Sequence, residues 1–170
     1  MKKQIIYPDF IPRLFATTID LFILFLVLSP IINFISKYAF LYIFHDFFVQ
    51  NNVDTSNIDA IMVAIRMQEF AGYITAQKFF TYFMFLLVIN TILMAAYFII
   101  FWHKFGTTLG KMVMHMKIVD ADSYSGLSLY QCIKRFAGYV TSLLGVWYIL
   151  FNKRGMALHD KIANTVVIKS

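Results

Sequence analysis

The sequence predicts an all-α integral membrane protein. The expected architecture is a small helical bundle of two transmembrane helices and a third short or re-entrant apolar helix, with a small cytoplasmic two-stranded β element. Three observations lead there. Of the 170 residues, 60% are hydrophobic and 14% charged, and mean hydropathy is +0.69, whereas about 25% of a soluble domain is charged. Two apolar runs are each long enough to cross about 30 Å of hydrocarbon, which takes roughly 20 residues at about 1.5 Å per residue. All of the charged residues except Asp20 lie outside the apolar runs.

The length fits one membrane domain, residues 1–170, and leaves no room for a separate soluble catalytic domain. The start, "MKKQIIYPDFIPR", lacks the apolar core and small-residue cleavage site of a secretory leader, so the first span is expected to be the insertion signal. That span covers 14–35 and contains Pro30, where a kink is expected. Residues 37–44, "KYAFLYIF", place two tyrosines at the expected interface. The loop 45–78 is acidic and expected outside. Within it, Ser56 or Asn57 can cap a short helix, resting on the outer membrane surface or packing on the bundle, whose Ile58, Ile61, Met62 and Ile65 recur at helical spacing.

The second span, 79–102, is uncharged throughout and closes on Trp102, His103 and Lys104. The connection 103–135 begins with a glycine- and threonine-rich stretch. A period of two over Met112 to Val119 then predicts a strand that ends at the turn-rich "DADSYSG". Ser128 followed by Gln131 is a capping box that opens a helix. The third apolar segment, 136–151, is short: 16 residues reach about 24 Å against about 30 Å of hydrocarbon. In the tail, 152–170, a helical piece around Met156–Ala163 precedes "NTVVIK", a β-branched strand expected to pair with the first.

Lys and Arg number three in the N-terminal flank, two in the 45–78 loop, five in 103–135 and four after Phe151. The positive-inside rule puts the first, third and fourth groups in the cytoplasm. Two spans satisfy the first three. A cytoplasmic tail then needs a re-entrant or interfacial third segment, whereas a third crossing would put Lys153, Arg154, Lys161 and Lys169 outside; the tail is read as cytoplasmic. The abundance of Lys, Ile, Asn and Phe points to an AT-rich bacterial genome, and hence to the bacterial cytoplasmic membrane. The net charge of +6 flanks apolar segments and forms no basic stripe with interleaved aromatics. The expected partners are therefore the bilayer and its anionic lipids at the cytoplasmic face, with no nucleic acid.

Two charges contradict the surrounding hydrophobicity. Arg13 at the edge can snorkel. Asp20 lies seven residues further, about 10 Å into the apolar run, where a lone carboxylate costs about 2.5 to 3.5 kcal/mol on insertion scales. It must be protonated, paired or open to water. Arg13 itself is about 10 Å away along the axis, too far for direct contact. Candidate partners are Arg13, Arg135 and, on the tail, the "LHDKIANTVV" cluster with His159, Asp160 and Lys161.

Four stretches in order, "PRLFATTID", "FGTTLGKMVMHMKIVD", Arg135 at the third segment and "RGMALHDKIANTVVI", resemble the RDD family of bacterial membrane proteins, named for one arginine and two aspartates. The resemblance runs from about residue 10 to 168. It implies that the family arginine is Arg13 and that the aspartates are Asp20 and Asp160. It also implies a cytoplasmic motif of Gly106, Thr108, Gly110 and Lys111, with His159 in the "LHD" of the tail. Met114 and His115 depart from the pattern where a glycine is common, which puts a tight turn there in doubt. Transport of ions or small solutes has been proposed for some members, so the resemblance implies fold and location more than chemistry.

The functional reading is therefore an ion or small-solute transporter, exchanging a cation for a proton at Asp20. Arg13, Arg135 and Asp160 would tune that site, and Asn90 would be a polar step in the second span. Two or three helices enclose little, so a homo-oligomer is expected. The alternative is a non-transporting membrane scaffold or assembly factor that binds a partner through its basic cytoplasmic face, with the buried charges structural. "GTTLGK" is no phosphate loop, because three residues separate its glycines and Met112 follows the lysine. The four histidines are scattered, Cys132 is the sole cysteine, and no nucleophile elbow occurs, so no metal, cofactor or enzymatic activity is expected.

Overall fold

The computed structural model describes residues 6–141 and 156–169. The element order is α1 (Phe10–Ile43), α2 (His45–Gln50), α3 (Ile58–Ala64), α4 (Gln68–Tyr73), α5 (Ala76–Phe105), α6 (Leu109–Val113), β1 (Met116–Asp120), α7 (Leu129–Thr141), α8 (Leu158–Ile162) and β2 (Thr165–Lys169). Helices α1 and α5, of 34 and 30 residues, are long and apolar enough to cross a membrane. Both overrun the spans expected at 14–35 and 79–102. Helix α1 continues through Pro30, and its last turns carry the tyrosines read as interfacial.

The chain forms two compact units, Val27–Ile92 on one hand and residues 1–26 with 93–170 on the other. In the first, the short helix expected in the loop is α3. Asn57 caps it, its side chain accepting the Asp59 N–H at 2.8 Å. Two further short helices, α2 and α4, lie where only loop was expected. Phe44, Phe47, Phe48, Ile61, Ala64 and Phe70 bury one another, with the Phe47 and Phe70 rings 4.9 Å apart. This core explains why an acidic stretch folds at all. Ser36 Oγ and the Tyr82 hydroxyl are 2.6 Å apart and join α1 to α5 by a hydrogen bond where apolar side chains alone would slide.

The second unit is built on the sheet. Strands β1 and β2 pair antiparallel, Met116 opposite Lys169 and Asp120 opposite Thr165. The Lys169 N–H extends the edge to the Ile6 carbonyl at 2.9 Å. The strand expected at 112–119 starts four residues late. Residues 109–113 are helical, and His115, with φ +50°, reverses the chain before β1; the turn forms without a glycine. At Gly106 (φ +63°) the carbonyl accepts the Ile118 N–H at 2.6 Å, and a Cβ would sit 3.2 Å from the Ile118 carbonyl oxygen. After β1, Asp120 accepts hydrogen bonds from the Ser123 N–H at 2.8 Å and from Gln131 Nε2 at 2.6 Å, and these hold its carboxyl down at about 2.

The capping box is present: the Gln131 N–H donates to Ser128 Oγ at 3.3 Å and the Ser128 N–H to Gln131 Oε1 at 3.0 Å. On α7, Cys132, Arg135 and Gly138 face inward at a spacing of three, while Leu129, Tyr130, Ile133 and Lys134 face outward. The part of the third apolar segment beyond residue 141 lies outside the described residues, as do Lys153 and Arg154.

Candidate functional site

On α1 the buried residues are Arg13, Ala16, Asp20 and Leu24, one stripe at spacings of three and four. The two charges on that stripe serve separate ends of one buried network.

Asp20 is 1% exposed. Its carboxylate accepts the Thr108 hydroxyl at 2.5 Å, the Gly110 N–H at 2.7 Å and the Tyr97 hydroxyl at 2.9 Å. The Tyr97 hydroxyl also accepts the Leu109 N–H at 3.3 Å. The first turn of a helix leaves its N–H groups without intrahelical partners, so Asp20 and Tyr97 together complete the start of α6. Lys111 Nζ stands 3.8 Å from Asp20, with its side chain 4% exposed. This corrects the expected partnership: the charge beside Asp20 is Lys111, and the arginines and tail residues lie elsewhere in the network. The approach requires Gly110, where a Cβ would fall 2.0 Å from the Ala16 carbonyl oxygen.

Asp160 is fully buried on α8. Arg13 donates to it at 2.8 Å, and Arg135 forms a second, closer ion pair. The carboxylate also reaches back to the Ala157 N–H at 2.9 Å, capping its own helix. Arg13, read as free to snorkel, is instead buried at 5% exposure and clasped to the tail. Arg135 also donates to Thr165 Oγ1 on β2 and lies 5.2 Å over the Trp102 ring. Burial alone would raise the Asp160 carboxyl. The Arg135 guanidinium, with His159 and Arg13, outweighs it and holds the group well below the usual carboxylate range.

His159 packs against Tyr139 with the ring centroids 4.0 Å apart and the planes tilted by 32°, and Gly138 closes over it, a Cβ there meeting His159 Cβ at 2.9 Å. Burial pushes its imidazole down to about 3, so it is neutral at pH 7. The sign of the pH effect follows. Between about 6.5, the usual histidine value, and about 3 the unfolded chain binds a proton that the folded chain refuses, so stability falls as pH is lowered through that window. We expect His159→Gln to flatten the fall in melting temperature between pH 6.5 and 4 while leaving its pH dependence above 7 unchanged. An unaltered acid slope would show that His159 is not its source.

Of the residues singled out from sequence, Arg13, Asp20, Lys111, Arg135, His159 and Asp160 converge, and Thr108 and Gly110 complete the Asp20 end. Gly106 shapes the entry to β1. Asn90, half-buried, belongs to the other compact unit and has no part in this cluster. Sequence reasoning missed Tyr97, Trp102, Tyr139 and Thr165. Tyr97 and Trp102 passed as membrane aromatics, and Thr165 as a strand former. Among the described residues no group of three or more His, Cys, Asp or Glu is placed to hold a metal.

A small buried charge network, closed by a two-stranded sheet at one end of two apolar helices, defines the class. The RDD family model matches residues 7–164, and the chain belongs to the RDD family. An uncharacterized protein of Rickettsia prowazekii (strain Madrid E) is 43% identical over 173 residues, covering 100% of both chains. No solved structure matches.

Proposed function

We propose that this chain is a multi-pass protein of the bacterial cytoplasmic membrane that moves a small ion or solute, by exchange of a cation against a proton at Asp20. The surfaces of α1 and α5 support membrane insertion. Phe22, Phe25, Phe34, Phe79 and Phe80 are each more than 60% exposed, an arrangement stable in lipid and costly in water. The Ile6–Lys169 hydrogen bond ties the N-terminal flank and the tail to one end. That end carries most of the described Lys and Arg, which favours a cytoplasmic N-terminus and tail. Exposed Lys104, Lys117 and Lys134 there suit contact with anionic lipids. A homo-oligomer would provide the enclosure that one chain lacks.

The observation that carries the exchange reading is the Lys111–Asp20 contact. At 3.8 Å it is the loosest contact to that carboxylate. A proton on Asp20 removes the attraction that holds the ammonium, and an entering cation competes with the ammonium for the same oxygens. The structural reading, a non-transporting scaffold, is favoured by a different observation: Asp160 is held by two guanidiniums and a backbone N–H, the pattern of a lock.

Proteoliposomes loaded with a pH-sensitive dye separate the two. Wild-type protein is expected to couple a monovalent cation gradient to proton movement, and Asp20→Asn to lower the rate by about tenfold or more, one lost proton-transfer group being worth 10²–10⁴ in rate where it is essential. Wild-type vesicles without cation-coupled proton flux would end the transport reading. Loss of folded yield in Asp20→Asn without any wild-type flux would favour the scaffold.

A further inference from the structure

The network contains more positive than negative charge. Arg13, Lys111 and Arg135 are each at most 5% exposed, and among the described residues the buried carboxylates around them are Asp20 and Asp160. His159 on α8, which lines the same space with the phenol of Tyr139, is neutral at pH 7. One buried positive charge therefore lacks a counterion among the described residues, and burying an uncompensated charge is costly.

The same residues line a cavity of about 50 Å³. Its walls include Arg13 and Thr17 from α1, Lys111 from α6, Arg135 and Tyr139 from α7 and His159 from α8. Both arginines that line it keep a buried Nε–H without an acceptor among the described residues, and such orphaned donors are uncommon in native interiors. A water occupies roughly 30 Å³ of liquid, so the space suits an occupant of one or a few heavy atoms.

We propose that this cavity is a binding site for one small monovalent anion, which neutralises the excess charge of Arg13, Lys111 and Arg135 and accepts from the orphaned guanidinium donors. A halide ion fits the volume and the charge. The phosphodiester of an anionic lipid supplies the same single negative charge from a second source. The site is independent of the exchange reading, because occupancy is required by the resting charge balance whether or not Asp20 exchanges protons.

Trp102 is a built-in reporter, fully buried with its ring 5.2 Å from the Arg135 guanidinium carbon and 5.6 Å from the ring of Tyr139. The chain has two tryptophans, so a Trp147→Phe background isolates its emission. In nanodiscs of neutral lipid, bromide replacing gluconate at constant ionic strength is expected to quench Trp102 saturably and to raise the melting temperature. Lys111→Gln makes the network neutral and is expected to weaken half-saturation by about tenfold or more, whereas Lys111→Arg preserves it. Thr17→Ile narrows the cavity without altering charge, and weakened binding there supports the site even if Lys111→Gln fails to fold. Saturation abolished by phosphatidylglycerol in the nanodisc identifies the lipid phosphodiester as the occupant; saturation unchanged by it identifies a free anion. Linear, unsaturable quenching of folded wild-type protein, with no shift in melting temperature, overturns the proposal.

Discussion

Asp160→Asn is expected to destabilise the protein by about 3–5 kcal/mol, the usual cost of breaking a buried ion pair from one side. The substitution leaves Arg13 and Arg135 facing a neutral amide with no other carboxylate in contact among the described residues, and it removes the charged acceptor of the Ala157 N–H. These contacts join α1, α7 and α8, so the loss is expected to be cooperative across the unit and to appear as a lower denaturant midpoint by Trp102 emission in micelles. Mild acid cannot imitate the mutation. The Asp160 carboxyl is held below the usual range, so its contribution is present above the unfolded value of about 3.9 and is lost only as pH falls through the lower folded value. Replacing all three members, Arg13→Met, Asp160→Leu and Arg135→Met, is expected to recover much of the lost stability, because apolar residues can fill a buried ion triad without the cost of burying charge. A midpoint for Asp160→Asn within experimental error of wild type would show that the clasp contributes nothing to folding.

Gly110→Ala is expected to be comparably damaging, although it adds one methyl group. Its Cβ would lie 2.0 Å from the Ala16 carbonyl oxygen and 3.0 Å from the Asp20 carboxyl carbon. Neither Ala16 nor the backbone of α1 can rotate away, so α6 must move and the Gly110 N–H contact to Asp20, 2.7 Å long, must stretch. Overpacking of this kind costs about 1–3 kcal/mol, and more where backbone is involved. A control is available in the same chain. Gly72 lies within α4, and a Cβ there meets nothing within 4 Å. Gly72→Ala is expected to be neutral or to stabilise by about 0.5–1 kcal/mol through helix propensity. Equal melting temperatures for Gly110→Ala and wild type would mean that α6 does not pack on Ala16 at this distance.

Local patterns carried much of the fold. Apolar runs of more than 20 residues, the first broken by Asp20, define α1 and α5, because helix length against bilayer thickness is a matter of counting. The Ser128–Gln131 box and the Asn57 cap are readable because a cap satisfies backbone groups within four residues of itself. The β-branched run 165–168 was a strand on composition, and only one other segment was available to pair with it. The start of β1 was misplaced because alternation of Met112, Met114 and Met116 is apolar-polar periodicity in name only: Lys111 and Gly110 are buried by α1, and that contact makes residues 109–113 helical.

The charge network was visible only as a list of members. Asp20 in an apolar run requires a partner on energetic grounds alone, and sequence supplied that demand together with the candidate cations. It could not allocate them. Lys111 took Asp20 because α6 packs its glycine against Ala16, while Arg13 and Arg135 took Asp160 because α8 returns the tail between α1 and α7. Tyr97 and Thr165 joined because hydroxyls become partners only where the fold aims them. What the amino-acid sequence determined by itself is the solvent each segment prefers and the existence of buried charge in need of neutralisation, since both follow from composition and local spacing. Which charge meets which, and the unmatched cation left beside a small cavity, were decided only by tertiary structure, because Coulomb energy depends on distances between charges as far as 147 residues apart in the chain that no local pattern encodes.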